Sequence, residues 1–75
     1  MKPAIVYWVD SNALFGWESE DVLADVAPNH VVSVGFVTEY KDTVVVVQSQ
    51  GMGRVHSVLA IPKRSVNSIK YLKAV

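Results

Sequence analysis

The sequence predicts a mainly β fold with a minor α part: five short strands in a small open barrel, with one short helix after the first strand. Three observations predict it. Thr43 to Gln50 contains four consecutive valines, Val44 to Val47. A β-branched side chain is stiff and suits a pleated sheet better than a helix. Other apolar runs of strand length recur between polar turn clusters along the chain. At 75 residues, the chain supports one domain, spanning 1–75, and is too short for a parallel sheet covered by helices on both sides.

The valine run sets the problem that the rest of the chain must solve. Successive strand side chains point to opposite faces, so Val44 and Val46 share one face and Val45 and Val47 the other. Both faces need cover. One can line a curled sheet. The other is covered either by the chain's own helix and termini or by a neighbouring copy. Chains this short hide only about 60% of their unfolded surface and usually need a staple or a partner.

In order, Ala4 to Val9 reads as the first strand, with Tyr7 and Trp8 setting an aromatic on each face and Trp8 in the core. Asp10-Ser11-Asn12 is a turn, because these side chains bond nearby backbone groups. A short helix follows, with Ser19 as N-cap and Glu20 and Asp21 in the first turn. Val22, Leu23 and Val26 mark one helical face, and Pro28 ends it. Two turns do not persist alone in water, so the helix is expected to dock on the sheet through Trp17 or Val22. Val31 to Tyr40 is the second strand, bent at Gly35. Tyr40-Lys41-Asp42 turns into the valine strand. Gln48 to Arg54 is a polar break, Val55 to Ile61 the fourth strand, and Pro62 to Ser65 a corner with one turn of 3-10 helix. Val66 to Leu72 closes the chain, with Val66 and Ser68 on one face and Ile69 and Tyr71 on the other. Five short, bent strands in this order suggest a barrel of the SH3 or Sm kind.

Composition excludes several classes. There is no cysteine, hence no disulfide and no thiolate zinc site; this fits a reducing interior. The two histidines, His30 and His56, lack metal-ligand spacing, and no metal or cofactor is expected. No signal-peptide core and no apolar run near the ~20 residues that span a bilayer are visible. A cytoplasmic protein without a membrane partner is expected. Net charge is zero, yet residues 51–75 hold Arg54, Lys63, Arg64, Lys70 and Lys73 without an acid. Either this part meets an anionic partner, or strands of the two halves interleave and neutralise one another.

The most suggestive constellation is Gln50-Gly51-Met52-Gly53-Arg54-Val55-His56. Two glycines free backbone N–H groups to face an anion, and the Arg54 guanidinium forks onto phosphate. His56 shares the strand face of Arg54. The alternative is a flexible hairpin tip with Arg54 for solubility. Neither a P-loop nor a dinucleotide fingerprint is present. Trp17, beside a loop, can stack on a base or pack in the core. Lys63, Arg64, Lys70 and Lys73 form a basic rim or keep an edge soluble. No nucleophile–base or paired-carboxylate arrangement is recognisable; Asp10 and His56 pair only if the fold joins them. A non-enzymatic protein is expected.

Val31 to Leu72 resembles the Sm-like fold in outline, with Gly35 mid-strand, Asp42 in the hairpin turn, a long central strand and a polar corner before the last strand. Where Sm proteins carry Arg-Gly near their RNA pocket, this chain has Ile61-Pro62-Lys63, so RNA contacts do not carry over. The whole chain resembles a group of small bacteriophage proteins through Asp10-Ser11, Gly16-Trp17, the acidic helix, Val34-Gly35-Phe36, Val46-Val47-Gln48-Ser49, Ile61-Pro62, Val66 and Ser68-Ile69. By analogy with phage sponges, the resemblance implies a homo-oligomer in the host cytoplasm that sequesters a small anionic nucleotide and counters host signalling. Gln50, Gly51, Gly53, Arg54 and His56 of one copy and Trp17 of another would hold the ligand. The alternatives are a module that inhibits a host protein and an Sm-like nucleic-acid binder.

Overall fold

The computed structural model describes residues 1–73. Five antiparallel strands form one sheet: β1 (Lys2–Asp10), β2 (Asn29–Tyr40), β3 (Thr43–Gly51), β4 (Arg54–Pro62) and β5 (Val66–Tyr71). Their order is β4-β3-β2-β1-β5. Among the described residues β4 and β5 do not pair, so the sheet is not closed. They are linked instead by a 3-10 turn, Lys63–Ser65, where the sequence places one. The Lys63 N–H donates to the Asp42 carbonyl at 2.8 Å and ties that corner to the β2–β3 turn.

The buried core lies on one face. It consists of Ala4, Val6, Val37, Val44, Val46 and Ile61, with Trp8, Val66 and Ile69 packed against it. Register explains the set: Val37 faces Val46, and Val44 faces Ile61. Trp8 donates its indole N–H to Ser33 Oγ at 3.0 Å, which satisfies the polar edge of a half-buried ring. Gly35 leaves no room for a side chain beside β3. A Cβ there would lie 2.6 Å from the Val47 carbonyl oxygen and 2.8 Å from a Val46 methyl. The glycine therefore serves close approach, and just past it β2 and β3 part: their pairing stops at Phe36 and Val47.

Three expectations need correction. The helix after β1 is a 3-10 turn, Glu20–Ala24, and none of its residues is buried. It does not dock through Trp17, which is 103% exposed; Leu23 is 72% exposed and Val22 alone is half-buried. The Ser19 hydroxyl makes no cap bond; it donates to the Asp21 carboxylate, which lowers the Asp21 pKa. With no packed face, a segment this short gains too few bonds to propagate an α-helix. Second, Val66 and Ile69 both reach the core. A register shift beside Tyr7 and Trp8 places Val66 opposite Trp8 and Ile69 opposite Val6. The extra residue of such a bulge resets the alternation. Third, Val47 is buried to 2% although it stands apart from the inner cluster. Its register partners Phe36 and Val58 place it on the outer face. This part of that face is therefore covered within the single chain, and not by the 3-10 turn Glu20–Ala24, none of whose residues is buried.

Candidate functional site

Beyond Val47 the β3–β4 hairpin continues as a two-stranded ribbon without β2 beside it. Gly51 pairs with Arg54, leaving Met52 and Gly53 as a two-residue turn. Both have positive φ, 54° and 69°, as the hairpin turn with matching twist demands. Gly53 is thus explained by geometry. Gly51 is not: its φ is not positive, and an added Cβ would meet nothing within 4 Å. Its backbone is left approachable.

Arg54 lines two concavities along this ribbon. One, of about 520 Å³, is bounded by Met1, Gln50, Gly51, Gly53, Arg54 and Val55. The other, of about 370 Å³, adds Ser49 and His56. Both are open, and all of these residues are exposed. Among the described residues the ion pair found is Lys63 Nζ to Glu39 at 3.6 Å; Arg54 is not part of it. Interleaving of the acidic and basic halves therefore neutralises Lys63 and leaves Arg54 available.

One further feature escaped sequence reasoning. Ser57, inside β4, has φ 57°, and the ladder skips Ser57 and Gln48 between the Ser49–His56 and Val47–Val58 pairs. A left-handed non-glycine in a strand stores strain and re-aims its neighbours. Ser57 Oγ lies 2.9 Å from His56 Nδ1. No residue type at 57 signals this conformation; only the backbone angle reveals it.

The structure thus groups Gln50, Gly51, Gly53, Arg54 and His56. It does not bring Trp17 to them within one chain. Asp10 bonds the Ser11 N–H at 2.9 Å, and His56 engages Ser57, so the acid–base pair considered from sequence does not form. Among the described residues no group of three His, Asp or Glu side chains is placed to hold a metal. No helix is long and apolar enough to cross a membrane. The basic corner forms a third concavity of about 340 Å³, lined by Asp42, Pro62, Lys63 and Arg64; Asp42 and the Lys63–Glu39 pair reduce its positive field. No protein-family model, curated protein or solved structure matches the chain.

Proposed function

We propose that the protein is a non-enzymatic, homo-oligomeric binder of a small anionic ligand of the nucleotide type, held at the β3–β4 hairpin end and sequestered there. One observation carries this reading. Arg54, outside any ion pair among the described residues, stands beside Gly51, whose missing side chain neither φ nor packing requires. An open backbone next to a free guanidinium is the chemistry of phosphate recognition. Gln50 and His56 add hydrogen-bonding groups at the same end. With the resemblance to small bacteriophage proteins, the reading extends to countering a host's nucleotide signalling in its cytoplasm. The strand order and the 3-10 turn between the edge strands support a barrel of the SH3/Sm kind, left open in the single chain.

Thermal shift against a panel of cyclic and ADP-ribose-type nucleotides tests the site. The expected result is a rise in Tm with one ligand class. At about 100 times Kd the stabilisation is about 2.7 kcal/mol. Arg54→Ala and Gly51→Ala should each leave the free protein's Tm nearly unchanged and abolish the shift. A shift retained in both variants removes the hairpin end from the proposal.

A second reading rests on the free edges of β4 and β5, to which a host protein's strand could add. It predicts no nucleotide shift and a stable complex insensitive to Arg54→Ala. An Sm-like nucleic-acid binder would instead lose affinity steeply with salt.

A further inference from the structure

The chain exposes more surface than a folded monomer of its mass should. Its accessible area is 6151 Å², whereas a compact 8.2 kDa chain exposes about 4,500 Å². The excess is about twice the ~800 Å² that each partner contributes to a standard interface. The radius of gyration, 15.8 Å, likewise exceeds the ~11 Å expected of a compact chain of this length.

Besides the β3–β4 ribbon, two parts of the molecule add exposed apolar surface. The outer face of the sheet carries Tyr7, Val32, Val34 and Val58, all exposed; Tyr7 opposes Val32, and Ile5 opposes Val34. The other part is the segment 11–28 between the paired residues Asp10 and Asn29. Its apolar side chains include Phe15, 92% exposed, and Trp17. Loops beyond about 12–15 residues are uncommon in compact domains and are usually functional or linker segments, and half of this one can reach about 30 Å.

Charge matches as well. The segment holds Glu18, Glu20, Asp21 and Asp25 and no base. Exposed Lys70 lies opposite Ile5, on the edge strand beside the outer face.

From these observations we infer that the segment 11–28 of one protomer docks on the outer face of a second copy of the chain. Phe15 and Trp17 cover the apolar patch of Tyr7, Val32 and Val34, and the acidic 3-10 turn meets Lys70. Trp17 is then the arm's anchor in the assembly, not a base-stacking group. The arm and its receptor are both apolar, both uncovered and opposite in charge, and the surplus area exceeds what a dimer needs. This inference rests on the homo-oligomeric part of the proposed function.

The test begins with the full chain co-refolded from an equal mixture of isotope-labelled and unlabelled protein. A zero-length carbodiimide then cross-links contacting carboxylates and lysines. The expected products join Glu18, Glu20 or Asp21 of one chain to Lys70 of another, identified by mixed isotope content. The double variant Phe15→Ser with Trp17→Ser should keep the wild-type β-sheet circular dichroism, because both residues are exposed, and should sediment as a single chain. Three results would overturn the inference. If the wild-type chain is monomeric, the inference and the oligomeric reading fall together. If it assembles but yields only same-chain cross-links, the arm docking alone falls. If the double variant retains the wild-type mass, the arm is again excluded while assembly stands.

Discussion

Val6 and Val34 sit on paired strands, within one residue of each other in register, and share a side chain. Val6 is fully buried, and Val34 is 63% exposed. The inner face closes because Gly35 lets β3 approach β2, bringing Val46 over Val37, and because the β5 bulge supplies Val66 and Ile69 together. The outer face is closed within the chain only around Val47, which is 2% exposed, while Tyr7, Val32, Val34 and Val58 on the same face stay exposed. The difference teaches that burial here follows position in the sheet and not residue type: the same valine is hidden on the inner face and open on the outer one.

Charge placed on each face separates them most sharply. Val6→Asp should abolish folding. An unpaired buried carboxylate costs several kcal/mol, comparable with the ~3–5 kcal/mol that a core of this size supplies. Val34→Asp should leave the circular dichroism of the chain intact, with a change in fold stability within about 0.5 kcal/mol, and disperse the assembly. If Val34→Asp unfolded the chain as Val6→Asp does, the contrast between the faces would be lost.

Gly35→Ala tests the close approach that closes the inner face. The added methyl meets backbone at Val47 as well as a side chain, and overpacking of this kind costs about 1–3 kcal/mol. Denaturant unfolding should show a lower midpoint. An unchanged midpoint would mean that the sheet does not depend on this approach.

The smallest effect is expected at the ribbon tip, which belongs to neither face. Met52 occupies a left-handed position that asparagine fills with less strain. Met52→Asn should stabilise by about 0.5 kcal/mol and raise Tm by a few degrees. No gain would show that the ribbon frays independently of the sheet.

Much of the sheet was legible because strand signals are local. Four valines and the polar turn at Lys41 and Asp42 mark β2 and the start of β3 to within about two residues. The 3-10 corner after Pro62 was legible for the same reason. The polar break expected from Gln48 to Arg54, by contrast, is strand except for Met52 and Gly53, because polar residues pair as well as apolar ones on an exposed ribbon. The segment 11–28 was not. Helical spacing of Val22, Leu23 and Val26 with an acidic first turn satisfies the local rules, but a two-turn helix needs a surface to dock on, and local rules do not report whether one is within reach. The β5 bulge escaped because it is set by register between β1 and β5, strands distant in sequence, and the left-handed Ser57 escaped because nothing in its residue type marks that backbone conformation. At the candidate site, Gly53 could be read as a turn glycine, whereas the freedom of Gly51 from any structural duty became visible only once the space around it was known. The stacking role expected for Trp17 failed to find support within one chain because the loop that carries it stands away from the hairpin.

The central claim is that the outer, apolar face is hidden by another copy of the same chain. Sedimentation equilibrium of the wild-type protein at micromolar concentration tests this most directly. The account predicts a mass that is a multiple of 8.2 kDa and persists on dilution through that range. A stable species of 8.2 kDa, free of aggregation with the apolar face open to water, would contradict it.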